Sequence, residues 1–296
     1  VRDFTILILG YHFATEVADT AGPGTELATF LKWEQLASYA RAHVNEDWGF
    51  RGTERVRRNL NERVVTLSAE TTHQILSSQK AYGIWGLYSV PGRASGLLGG
   101  QPARLTPSAH ELVERTYLEA IAHTGLTDAK RLVELLSRDQ VKLDLQRAAD
   151  QDILKVVASL VKPDVGATER RFYREHLLFG GPNDPTEGRQ RQLAEIIKPK
   201  LAGGAFPWNP TTVIAFAKDA ERRGEHWQSL GFHLRRIEAA ERVLAPASEL
   251  FTYLLGCDGV TIAEITKRMR QEENWGRAVT TISQSATADL KAEFGD

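Results

Sequence analysis

The sequence predicts a mostly α-helical protein with one short β-hairpin, ending in a C-terminal helical domain. Three observations carry that expectation. Apolar residues return every three or four positions through most of the 296 residues. Thr or Ser often stands in front of these runs, where its oxygen can accept from the unpaired N–H groups of a first helical turn. Extended signals gather in one place, the β-branched run Arg63–Leu67 and the glycine- and proline-punctuated stretch 95–106. Hydrophobic residues make up 42% and charged residues 25%, close to globular averages, so a chain of this length can bury a core.

Taken in order, Phe4 to Val17 steps through Ile6, Leu9, Phe13 and Val17 and reads as helix, with a strand over Thr5–Leu9 as the alternative because Gly10 weakens the helix. Ala21-Gly22-Pro23-Gly24 breaks the chain. Thr25 caps the next helix, in which Leu27, Phe30, Leu31, Leu36 and Tyr39 form an inward stripe while Glu34, Arg41 and Glu46 face water. A corner at Trp48-Gly49-Phe50 leads into a short arginine-rich helix within residues 51–63. The run Arg63–Leu67 reads as strand, and Ser68 offers a cap to a helix from Ala69. A second helix near Gln79 carries Tyr82, Trp85 and Tyr88, and Gly99-Gly100-Gln101-Pro102 then turns a hairpin. Thr106, followed by Pro107, caps a strong helix. Thr127 caps another through Leu132, Leu135 and Leu136, and a further helix is expected from Asp139 toward Val161.

Lys162-Pro163-Asp164-Val165-Gly166 is the expected boundary, dividing an N-terminal domain of residues 1–163 from a C-terminal α-helical interaction domain of residues 164–296. Helices are expected there around 168–179, 185–202, 210–223, 224–245, 247–256, 261–273 and 277–293. Within 224–245, Trp227, Leu230, Leu234, Ile237 and Leu244 lie along one face. That seam suits docking on other protein subunits or a homodimer, with ordinary core as the alternative. No repeat or low-complexity tract is found.

Residues 63–123 therefore run strand, helix, helix, hairpin, helix. Within them Ser95-Gly96-Leu97-Leu98, then Arg104-Leu105-Thr106-Pro107, then Ala109, Leu112 and Val113 resemble the winged-helix fold of MarR-like and PadR-like bacterial regulators. In that family a "GL" opens the wing and "LTP" leads into the next helix. The resemblance implies a winged-helix-like element over 63–123 and a platform for double-stranded DNA or for protein contact. The helix in the recognition position reads Tyr82-Gly83-Ile84-Trp85-Gly86-Leu87-Tyr88, whose glycines and aromatics suit packing better than base readout.

With 37 basic against 38 acidic residues, the formal charge is −1, so any nucleic-acid contact must be a local patch. The densest positive cluster is Arg51, Arg55, Arg57, Arg58 and Arg63, with Lys80, Arg93 and Arg104 nearby in the sequence; the alternative use of these side chains is a solvated face. One cysteine, Cys257, excludes an internal disulfide and multi-cysteine zinc patterns, and its apolar neighbours suit a packed thiol. No apolar run reaches the roughly 20 residues that cross a bilayer, and Val1 opens neither a complete signal peptide nor an initiator methionine, so a cytoplasmic chain, cut from a longer or processed product, is expected.

No P-loop, dinucleotide fingerprint, nucleophile elbow or HExxH pair is present. The histidines, His226 and His233 among them, read as structural or surface groups, and neither metal nor cofactor is expected. Asp184, Glu195 and Lys198 supply the residue types of a metal-dependent nuclease, but Glu195 and Lys198 fall in a helical pattern. The sequence thus leads to a non-enzymatic accessory subunit of a bacterial DNA-acting complex, of the genome-defence (antiviral) or DNA-maintenance kind that its style resembles. A winged-helix transcription regulator is the first alternative and a nuclease the second.

Overall fold

The structure, a computed structural model, describes residues 1–181, 184, 186–271, 288 and 292. The helix expected over 277–293 lies outside the described residues, save positions 288 and 292. The chain forms two compact units, Val1–Thr186 and Glu187–Asp296. Residues 164–186, expected with the second domain, therefore pack with the first.

The first unit is built around α1 (Arg2–Ala21) and α2 (Glu26–Val44). Ile6, Leu7, Ile8 and Leu9 are all buried, and a helix apolar on every side belongs inside a core. Gly10 lets the two helices approach: a Cβ there would stand 2.5 Å from the Phe30 ring and 2.8 Å from that of Trp33. Trp33 Nε1 donates to the Ile6 carbonyl at 2.9 Å, which locks the crossing. Glu34 and Arg41, expected to face water, are buried. Glu34 is covered by α4 and α5 and Arg41 by the Asp47–Phe50 corner, and of the three only Glu46, beyond the end of α2, stays exposed.

After α3 (Thr53–Asn59) comes β1 (Val64–Ser68), and its partner was not expected. Gln140–Asp144 forms β4, antiparallel to β1 with Val64 opposite Asp144 and Ser68 opposite Gln140. Val65, Leu67, Val141 and Leu143 turn inward. The expected helix from Asp139 is thus a strand followed by α9 (Ala148–Leu160).

The helix expected from Ala69 does not form either. The Gln35 amide accepts from the Ser68 N–H and donates to its carbonyl, while Ser68 Oγ accepts from the Glu70 N–H. With both backbone groups of Ser68 already taken, the chain runs in turns to α4 (Gln79–Tyr82) and α5 (Ile84–Ala94). The hairpin is present as β2 (Leu98–Gly99) paired with β3 (Arg104–Leu105), around a cis Gln101–Pro102 bond. Because β1 pairs with β4 and no helix starts at Ala69, the expected strand, helix, helix, hairpin, helix order over 63–123 is not established as a winged-helix-like element.

Thr106 caps α6 (Pro107–Leu112), accepting from Ala109 N–H at 3.4 Å, and the helix widens into a π-helical turn over Val113–Leu118. α7 (Glu119–Thr124) and α8 (Ala129–Ser137) precede β4; Asp128, not Thr127, caps α8. α10 (Ala167–Tyr173) runs into a second π-helical turn, Arg174–Leu178. It is tied to α1 through buried polar groups. Arg2 Nη1 and the Tyr117 hydroxyl both donate to Glu169 Oε1 at 2.6 Å, and the Thr5 and Tyr173 hydroxyls stand 3.0 Å apart. Burial pushes the Glu169 carboxyl up, but the bonds from Arg2 and Tyr117 outweigh it and hold the group below its ordinary range.

In the second unit, α11 (Arg189–Ala202), α12 (Pro210–Arg222) and α13 (Gln228–Leu255) share a small core of Ile196, Val213, Phe216, Ala217, Ala220, Leu230 and Leu234. The helices expected over 224–245 and 247–256 are one helix containing Pro246, and α14 (Ile262–Gln271) follows. Among the described residues no helix is long and apolar enough to cross a membrane.

Candidate interaction surface and histidine cluster

α5 has two unlike faces. Trp85 stacks on Tyr11 at 5.0 Å between ring centres and meets Phe30 edge-on, while Tyr88 meets Phe4 edge-on. The Tyr88 hydroxyl donates to Asp3 Oδ2 at 2.7 Å. Gly83 and Gly92 are close-packing positions, as their aromatic setting suggests: a Cβ on Gly92 would lie 2.8 Å from Leu7 Cδ2. The opposite face is open, with Leu87 39% and Val90 72% exposed beside Tyr82 of α4 at 57%.

Glu34 positions this helix. Its Oε1 accepts from the Ile84 N–H and its Oε2 from Gln79 Nε2, both at 2.9 Å, so one buried carboxylate holds the start of α5 and the side chain of α4. Burial pushes Glu34 up to about 7 against those two bonds, and nearby Asp3 adds to the rise.

The arginine segment lies against the same region, because the Arg55 guanidinium donates to the Gln74 carbonyl in the turns leading to α4. Arg51 sits near enough to Tyr88 for its charge to act on the phenol. Several of the expected phosphate contacts are otherwise engaged. Arg57 pairs with Glu54 at 2.9 Å and lies over the Trp48 ring; Arg63 grips Asp144 at 2.8 Å; Arg104 meets Asp19 at 3.1 Å; Arg93 donates to the Gly100 carbonyl. Exposed Arg51, Arg58 and Lys80 have no acidic partner within ion-pair distance among the described residues. The structure thus brings Arg51, Arg55 and Lys80 near α4 and α5, while Arg63 and Arg104 are held by Asp144 and Asp19 and Arg93, on α5 itself, by the Gly100 carbonyl.

The expected partner seam on α13 is divided. Leu230 and Leu234 are core, Trp227 packs partly on it with the Arg223 guanidinium 4.8 Å from its ring centre, and Ile237 is 45% exposed. His226 is exposed, His233 is half-buried with Nδ1 against the Ser229 carbonyl, and Cys257 is buried. Of the nuclease candidates, Asp184 accepts from the Thr186 N–H and hydroxyl within the first unit, whereas Glu195 and Lys198 are exposed on α11 in the second.

One grouping was not legible in the sequence. His12 of α1, His110 of α6 and Glu114 of the first π-helical turn place one ligand atom each within 4.8 Å of the others. His110 Nε2 stands 3.7 Å from Glu114 Oε1, and the two imidazole centres are 6.1 Å apart. Burial pushes His12 down to about 4, with Glu114 opposing and His110 adding to the fall, so its ring is neutral near pH 7. The local signal was the four-residue spacing of His110 and Glu114; His12 arrives only through packing of α1 on α6. Compared with known proteins, the chain matches no family model, no curated protein and no solved structure.

Proposed function

We propose that this chain is a non-enzymatic accessory protein that docks on partner proteins of a DNA-acting complex, using the open face of α4 and α5 with flanking cations steadying the duplex. The observation that carries the reading is the exposure of Leu87 and Val90 on α5, with Tyr82 of α4 also exposed, on a helix whose other face is locked into the core. A rigid helix with an apolar outer face suits a protein groove, whereas base edges call for polar and basic side chains. The same contrast favours an adaptor over a winged-helix regulator that reads an operator through this helix. Arg51, Arg58 and Lys80 supply positive charge with no ion pair among the described residues, which supports phosphate contact.

Two measurements test it. Anisotropy with a short duplex should give binding that weakens with salt, and Arg51→Glu, Arg58→Glu and Lys80→Glu combined should weaken it by about tenfold or more, since each lost phosphate contact reduces affinity and flattens the salt slope. Equal binding in parent and variant removes the DNA arm. Val90→Glu should abolish co-purification with the chain's native partners while leaving duplex binding in place; unchanged co-purification removes the docking face.

A further inference from the structure

We infer that His12, His110 and Glu114 form a binding site for a divalent transition-metal ion of the zinc class, held by two imidazoles and one carboxylate. The donor set selects the ion: imidazole nitrogen suits zinc, cobalt, nickel and iron, whereas magnesium and calcium take oxygen ligands. The geometry is close to what such an ion needs. Ligands about 2.1 Å from zinc at the tetrahedral angle stand ~3.4 Å apart, and the His110–Glu114 separation is already 3.7 Å. The widest separation in the group, no more than 4.8 Å, closes by roughly 1.4 Å to reach that spacing.

The side chains that must move are the ones free to do so. His110 and Glu114 are exposed, four residues apart at the junction of α6 with the π-helical turn, while His12 is fixed in the buried wall of α1. The His12 ring touches Phe13 and His110 and makes no hydrogen bond among the described residues. No hydrogen bond therefore has to be broken for His12 to take an ion shared with His110 and Glu114. π-Helical turns recur at functional sites, and here the turn carries the carboxylate. Three protein ligands leave the fourth position to water on the exposed side. The ion would also cross-link α1 to α6.

The test uses the full chain, free of any affinity tag and stripped of metal with a chelator. Calorimetric titration with zinc chloride should give one equivalent bound, with micromolar or tighter affinity, a raised Tm and no comparable binding of magnesium or calcium. Cobalt(II) should give the intense visible bands of a four-coordinate ion. His110→Ala and Glu114→Gln are surface changes that leave the fold intact, and each should weaken zinc binding by about tenfold or more. Failure of zinc to bind, equal affinity in the parent and both variants, or equal binding of magnesium would overturn the site. Because neither variant touches α5 or the arginine segment, duplex binding should be unchanged in both, which separates this inference from the adaptor reading.

Discussion

Glu34 sets burial against hydrogen bonding within one carboxyl group. Its folded pKa of about 7 lies above its ordinary value of 4.5 because burial penalises the charge more than the bonds from Ile84 and Gln79 favour it. The native state therefore holds a proton that the unfolded chain releases between those values, and the stability this proton supplies is present below 4.5 and lost as pH rises through 7. The loss is roughly 3 kcal/mol. Glu34→Gln keeps the shape, but its single carbonyl oxygen cannot accept from both donors, and its NH2 then faces an N–H, costing about 1–3 kcal/mol. Urea unfolding should show the parent's advantage over Glu34→Gln smaller by roughly 2–3 kcal/mol near about pH 8 than near about pH 5. A difference that stays constant with pH would show that Glu34 is ionised throughout. Nothing local marks this residue in the sequence, where a polar position opposite an apolar stripe reads as solvent-facing; its burial comes from α4 and α5 closing over it.

At the scale of elements, the α1–α2 crossing decides between two opposed effects of one substitution. Gly10→Ala gains about 1 kcal/mol of helix propensity in the middle of α1. It also drives a methyl group to 2.5 Å from the Phe30 ring, between two helices whose aromatic side chains are fully buried. Overpacking of that kind costs about 1–3 kcal/mol, so the variant should be less stable than the parent by urea midpoint; a gain in stability would mean that the helices part freely. Most helices here were legible because period and caps agree, as at Thr106-Pro107 and Asn209-Pro210. β4 was missed: Val141 and Leu143 do alternate with Gln140 and Lys142, but the apolar residues continue into α9, so the whole stretch from Asp139 reads as one helix. The turns over 69–78 were not legible either, because the Gln35 amide that claims Ser68 sits 33 positions away. The metal group was hidden for the same reason, since only the packing of α1 brings His12 to His110.

For the whole molecule, the two cores differ in size, and that difference predicts how the chain comes apart. The first unit closes on itself: Arg2 in its first helix and Glu169 in its last are joined at 2.6 Å with Tyr117 on the same oxygen, and Tyr173 belongs to the large core of α1 and α2. The second rests on Ile196, Val213, Phe216 and a few neighbours. Stability scales with the apolar area removed from water, so the second unit should unfold first. Denaturation of the full chain should show two transitions in helical ellipticity, the earlier one accompanied by the near-ultraviolet signal of Trp208 and Trp227 and the later one by that of buried Trp33 and stacked Trp85. A chain ending at Thr186 should keep the later transition at an unchanged midpoint, because its core and its polar closure lie within residues 1–186. A chain ending at 163, the boundary suggested by Pro163 and Gly166, loses Glu169 and Tyr173, leaves Arg2 buried without its acid, and should unfold at markedly lower denaturant. If the two truncations behaved alike, the closure through Glu169 would contribute nothing, and residues 164–186 would be an appendage of the first unit instead of its last layer.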